Sequence, residues 1–330
     1  MGLRDRLFGT RWTLGREWFR VWEVPNYYTT LERLAHAGAR ITFGYVLMTL
    51  AAALLATSGL LLNSATVVIG SMCVAPFLGP SRAVCIGALY RDRRTVTRGL
   101  LKQLAGLLAV GPAVAYATTV LLRAWVSGVE VTPEVLLRAM PTARDAVLSV
   151  LIATTSGAAA SLALSADPSI VAAPWGQVLD AMIGVEIAIS LMPPACVMGI
   201  GLAFGRPDIS RNALLLLLVN VLGLDFLGSM LVLAVRGVRA RYLNLEKAVR
   251  RTAETVLSRA PGVTLVGSVI NVTLLSPGVA KVDVTARHQP GEIVPDSLAQ
   301  TIGDEMQSGT GCRGEVTVDL IPSQTYTTLS

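Results

Sequence analysis

A few ionisable and strongly polar side chains stand inside stretches of sequence that otherwise carry almost no charge. Asp180 and Glu186 lie about one and a half helical turns apart in one such stretch. Asp225 follows Asn220 in another, Arg82 comes just after Gly79-Pro80, and Lys102 opens a further apolar run. Carboxylates in an apolar medium can hold a cation or relay a proton. A guanidinium there can neutralise one of them or meet an anionic substrate. Glu186 is the most central of the set. Asp180 and Lys102 are also compatible with a hydrated position near an interface.

The surrounding sequence decides what medium these groups occupy. Of 330 residues, 52% are hydrophobic and 15% charged, against roughly 25% charged in an average soluble domain. The deficit is confined to Ile41–Val235. A hydrocarbon core of about 30 Å needs about twenty apolar residues in a helix, and about six stretches qualify. They are Ile41–Leu62, Ala65–Tyr90, Gly99–Val126, Ala146–Ala166, Ile170–Phe204 and Ala213–Val235. The expectation is therefore an α-helical polytopic membrane protein. It divides into a basic amphipathic arm at 1–40, a transmembrane domain at 41–235 and a soluble α/β domain at 236–330.

The second and fifth stretches repeat each other. Ile69-Gly70 answers Ile183-Gly184, Leu78-Gly79-Pro80 answers Met192-Pro193-Pro194, and Ile86-Gly87 answers Ile200-Gly201, always 114 residues apart. Ala56-Thr57-Ser58-Gly59 is likewise echoed by Thr154-Thr155-Ser156-Gly157. Two halves of three spans each, about 41–126 and 146–235, would enter the bilayer in opposite directions and form inverted repeats. Proline removes a backbone donor and displaces a carbonyl, so the second and fifth helices are expected to break at Gly79-Pro80 and Pro193-Pro194. Paired broken helices in inverted repeats place substrate and ion sites near the midplane of secondary transporters. A plain packing kink is the alternative for either break alone. The candidate binding set is thus Gly79, Pro80, Arg82, Asp180, Glu186, Pro193, Pro194, Asn220 and Asp225.

The arginines orient the chain. The first forty residues are Arg-rich, with Trp12, Trp18, Phe19 and Trp22 interleaved, which suits a helix in the headgroup layer rather than a secretory signal or a nucleic-acid contact. Arg91, Arg93, Arg94 and Arg98 follow the second span, and Arg236, Arg239 and Arg241 follow the last. The positive-inside rule then puts both termini in the cytoplasm of an inner-membrane protein. Cys73, Cys85, Cys196 and Cys312 have no metal-ligand spacing, and His36 and His288 are isolated. No cofactor, metal or enzymatic constellation is expected.

Gly59-Leu60-Leu61-Leu62-Asn63-Ser64, Val67-Val68-Ile69-Gly70-Ser71-Met72 and Ala75-Pro76-Phe77-Leu78-Gly79-Pro80 are ordered as in a family signature. Together with Ile187-Ala188-Ile189-Ser190-Leu191-Met192-Pro193-Pro194, the chain resembles the uncharacterised hydrophobic bacterial membrane proteins grouped as domain of unknown function 389. The resemblance covers roughly residues 40–235. It implies an integral membrane domain and assigns no substrate. Glu186 departs from the small apolar residue expected of the family there, so a role for it would belong to this chain.

Beyond the last span, Leu243–Ala260 reads as a helix stopped by Pro261-Gly262, and Val263–Leu274 and Val279–Arg287 as strands. Asp296–Gln307 reads as a helix and Glu315–Ile321 as a strand, giving the order α-β-β-α-β. Its sheet edges invite pairing, so a homo-oligomer is expected, with membrane lipids and a small solute or ion as the other partners. A secondary transporter is the leading reading. An oligomeric ion channel and a non-transporting scaffold or sensor are the alternatives.

Overall fold

A computed structural model describes residues 24–139, 143–164, 191–235, 237–276, 278–288 and 293–322. The chain forms two compact units, one of residues 31–238 and one joining 1–30 to 239–330.

The larger unit is helical. It holds the end of α1 (Tyr27–Ala39), then α2 (Phe43–Leu61), α3 (Ala65–Val74), α4 (Leu78–Leu89) and α5 (Arg93–Leu104). A π-helical stretch (Ala105–Val110) joins α5 to α6 (Gly111–Trp125). The short α7 (Pro133–Leu137) and α8 (Ala143–Leu164) follow. Next come α9 (Leu191–Ala203), α10 (Pro207–Val221), a second π-helical stretch (Leu222–Met230) and α11 (Leu231–Val235). Among the described residues three helices are long and apolar enough to cross a membrane: Phe43–Leu61, Arg93–Trp125 and Pro207–Val235. The bent pair α3–α4 makes a fourth if counted as one span. Apolar side chains such as Phe43, Leu47, Leu121, Leu215 and Leu227 face outward from these helices. In water such a surface would be a liability, whereas against lipid it is expected.

The residues of the opening signature shape a tight turn. Asn63 takes the left-handed conformation (φ 54°), and Ser64 receives the Val67 N–H at 3.5 Å to start α3. Gly59 lets α2 meet α3 closely, since a side chain there would strike Val68. Small residues at such crossings are the usual way membrane helices approach.

Two turns that stand 114 residues apart share a hydrogen-bond pattern. At the α4–α5 turn, Tyr90 N–H donates to Ile86 O at 2.9 Å, Arg91 to Ala88 O at 3.1 Å and Asp92 to Gly87 O at 2.9 Å. At the α9–α10 turn, Phe204, Gly205 and Arg206 donate to Ile200, Leu202 and Gly201 at 3.0, 3.1 and 2.8 Å. Every partner is displaced by 114 positions. Arg91 and Gly205, which correspond, both have positive φ (58° and 66°). The α2–α3 turn closes in the same way, with Leu62, Asn63 and Ser64 donating to Ser58, Leu60 and Gly59, so all three turns share one helix-ending structure.

The smaller unit is an α/β domain with the expected order: α12 (Ala240–Arg259), β1 (Val263–Ser276), β2 (Val279–His288), α13 (Leu298–Thr310) and β3 (Val316–Pro322). The sheet runs β1-β2-β3, with β1 antiparallel and β3 parallel to β2. Ala280, Val282, Val284 and Ala286 alternate inward from the central strand, and Leu257, Ile302 and Met306 of the two helices are buried as well, the pattern of a strand with one covered face. Residues 24–30 join this unit for local reasons. Asn26 bonds to β1 through Val272 and Asn271, and the amides of Tyr28 and Thr29 at the start of α1 donate to Glu246 of α12 at 3.0 and 2.8 Å.

Candidate functional site in the helical unit

The interruption between α3 and α4 is at Ala75-Pro76-Phe77, where the axis bends by 57°, and not at Gly79-Pro80 as the sequence implied. Ala75 is extended (φ −72°, ψ 121°), as a residue before proline must be. Gly79 and Pro80 instead occupy the first turn of α4, where a missing N–H costs nothing. Pro193 and Pro194 hold the corresponding place in the first described turn of α9. The residues before Leu191, including Asp180 and Glu186, lie outside the described residues.

From Pro80 to Gly87 every residue of α4 is buried, including Ser81, Arg82 and Cys85. A helix enclosed on all sides does not face lipid. It threads the centre of the unit, the place where an interrupted span is tolerated. Gly38 of α1 packs on Gly79, and Gly99 of α5 sits against Ala83 and Pro80 O, so neither position has room for a side chain.

On its other side α4 meets the second π-helical stretch. Ser81 Oγ donates to Asp225 Oδ1, and Cys85 Sγ donates to the Asp225 carbonyl at 3.2 Å. Asp225 is 1% exposed, and its Oδ2 has no hydrogen-bond partner. Gln103, wholly buried on α5, is a side-chain hydrogen-bonding neighbour of this carboxylate, although its amide atoms stop short of full hydrogen-bond geometry. Leaving such groups unmade costs about 1–3 kcal/mol each. Buried, unmet polar atoms of this kind mark a place for a proton, an ion or a polar group of a ligand. π-Helical distortions often accompany such sites, and one adjoins each half of this cluster: Gln103 stands just before the first stretch and Asp225 within the second.

Of the sequence candidates, Gly79, Pro80, Arg82 and Asp225 come together around α4, and Asn220 is buried on the helix that carries Asp225. Ser81, Cys85 and Gln103 were missed. Ser81 was legible as the polar residue next to Pro80, and Gln103 as a second polar residue beside Lys102. Lys102 itself does structural work. Its Nζ donates to Gly38 O and Arg40 O at 2.9 and 2.7 Å, so it closes the carbonyl end of α1.

The repeat places a second contact of the same kind. Ala195 and Gly111 stand 114 positions after Ser81 and before Asp225. They also meet, with the position of a Gly111 Cβ 3.3 Å from Ala195 Cβ. One junction is polar and the other is filled by small apolar groups.

These features define an integral membrane protein of the α-helical class. Residues 72–226 match the family model described as "Domain of unknown function (DUF389)", so the resemblance drawn from the signature residues holds. The segment carrying α4, Asp225 and both hairpins lies within the part that matches. The chain is also 25% identical over 230 residues to the uncharacterized protein MJ0678 of Methanocaldococcus jannaschii. That similarity takes in 69% of this chain and spans 65% of the relative's length.

Proposed function

We propose that this chain is a secondary transporter of a small solute or ion in the cytoplasmic membrane, with Asp225 as its coupling carboxylate. The observation that carries the reading is the unmet Oδ2 of Asp225 beside the unmet amide of Gln103, buried where α4 crosses the last described span. A carboxylate with one oxygen anchored by Ser81 and the other open can alternate between a proton or monovalent cation and a polar solute group. Two inverted three-helix halves fit the 114-residue spacing and the reciprocal contacts Ser81–Asp225 and Ala195–Gly111. Basic residues flanking the spans favour cytoplasmic termini. The protein is read as non-enzymatic and as a homo-oligomer in lipid.

The test uses the full chain in proteoliposomes loaded with a pH-sensitive dye, challenged with sodium, potassium, or pools of amino acids and carboxylic acids. Wild type should give a saturable dye response to one of these, and Asp225→Asn should abolish it. An unsaturable response, or one unchanged by Asp225→Asn, would sink the reading. Unitary current steps in planar bilayers would favour the channel instead.

A further inference from the structure

A second polar feature of the helical unit lies away from Asp225. The carbonyl end of α1 and the first turns of α5 enclose a cleft of about 690 Å³. Arg40, Arg94, Arg98 and His36 line it, together with Ile41 and Leu101. Among the described residues no carboxylate lies within ion-pair distance of Arg40, Arg94 or Arg98. The one acid in the cleft, Asp92, is already engaged. It accepts from the Arg94 and Thr95 amides at 3.0 and 3.3 Å, from Thr95 Oγ1 at 2.6 Å, and pairs with His36 Nε2 at 2.9 Å. Three arginines therefore line the cleft with no carboxylate paired to them among the described residues. Their planar forks suit phosphate oxygens.

The same walls carry exposed apolar residues: Ile41 is 64% and Leu101 67% exposed. Length fixes the depth of the cleft. The helix Arg93–Trp125 has 33 residues, about 50 Å at 1.5 Å per residue, while the hydrocarbon core takes up about 30 Å. Placing that surplus at the Arg-rich start of the helix, beside Arg40–Ile41 just before α2, puts the cleft at headgroup level. A free phosphate would use the arginines alone. A ligand using the whole cleft has a phosphate head and apolar tails.

We infer that this cleft is a binding site for an anionic phospholipid, its phosphate held by Arg40, Arg94 and Arg98 and its acyl chains laid along Ile41 and Leu101. The inference rests on membrane residence and is independent of transport through the Asp225 site.

The test is native mass spectrometry of the full chain in detergent, with phosphatidylglycerol or phosphatidylcholine of identical acyl chains. Wild type should retain phosphatidylglycerol about tenfold more strongly, since each arginine near a lipid surface contributes appreciably. Arg94→Gln/Arg98→Gln should erase that preference, lowering phosphatidylglycerol retention much more than phosphatidylcholine retention. Arg211→Gln, on α10 and outside the cleft, should preserve it. Arg94→Lys/Arg98→Lys, which keeps the charge and loses the fork, should fall between, and guards against a glutamine variant that fails to fold. Ile41→Ser/Leu101→Ser should weaken lipid retention. Unchanged preference in the glutamine variant, or equal loss in Arg211→Gln, overturns the site. Displacement of the lipid by millimolar inorganic phosphate, with Ile41→Ser/Leu101→Ser without effect, identifies a free-anion site and overturns the lipid assignment.

Discussion

Ser81 and Asp225 are joined by a hydrogen bond across 144 residues of chain, and the pair 114 positions away, Ala195 and Gly111, makes the matching contact without a polar atom. The polar junction therefore belongs to one of two equivalent positions. Ser81→Ala removes the hydroxyl donor from Asp225 Oδ1 and should cost about 1–3 kcal/mol of stability. In a double-mutant cycle with Asp225→Asn, thermal unfolding in detergent should show a coupling of about 0.5–3 kcal/mol. Additive effects would mean that the hydroxyl and the carboxylate do not depend on each other.

The close approaches of the helices make a second prediction. A side chain on Gly199 would run into the carbonyl of Pro112, a rigid backbone atom, and into Ala115 Cβ at 2.9 Å. Gly199→Ala should destabilise by about 1–3 kcal/mol, as overpacking does. Gly70 on α3 has nothing within 4 Å. There alanine should be neutral or stabilising by up to about 1 kcal/mol through helix propensity. Unfolding midpoints of the two variants, compared at fixed detergent, test the contrast.

Much of this was legible in the sequence because hydrophobic length and period are local properties. Phe43–Leu61, the helix ending in Trp125 and the helix ending in Val235 follow their apolar stretches closely, and the α-β-β-α-β order of the tail follows its alternation. The break was misplaced by a few residues. Proline by itself does not say whether it interrupts a helix or starts one, and Pro76 does the first while Pro80 does the second. The partnership of Ser81, Gln103 and Asp225 was not legible, because it depends on helices distant in sequence crossing at one point. The joining of residues 24–30 to the tail was hidden for the same reason: Asn26 and Val272 pair across nearly the whole chain.

Asp92 should leave a signature at acid pH. Its carboxyl is lowered to about 2, first by the Thr95 hydroxyl, then by His36 and the Thr95 and Arg94 amides. A depressed acid stabilises the fold above its unfolded value of 3.8 and loses that contribution as pH falls towards 2. The side chain is about a third exposed, so solvent screening keeps the effect small. Asp92→Ala should lose the N-cap of α5, about 0.5–2 kcal/mol at neutral pH. The variant and wild type should converge between pH 4 and 2 in thermal unfolding. A constant gap across that range would show that the carboxylate's charge is not what stabilises the turn.

Glu246 should act in the opposite sense. It is buried, and its carboxylate accepts from the Tyr28 and Thr29 amides and the Thr29 hydroxyl, serving as the N-terminal cap of α1 from a distant helix. Burial raises its pKa above the ordinary 4.5, with the Thr29 and Tyr28 hydrogen bonds opposing that in part. A raised acid holds its proton more tightly folded than unfolded. Its contribution to stability is therefore greatest below pH 4.5 and declines as pH rises through the folded value. Glu246→Gln keeps one acceptor and cannot ionise, so it should remove this slope and match or exceed wild type at pH 8. Glu246→Ala strands the two amides and should cost about 1–3 kcal/mol across the range. Unfolding midpoints of the three proteins from pH 4.5 to 8 decide it. If Glu246→Gln keeps the wild-type slope, the titration belongs to another group; if Glu246→Ala is neutral, water caps α1 as well as the carboxylate does.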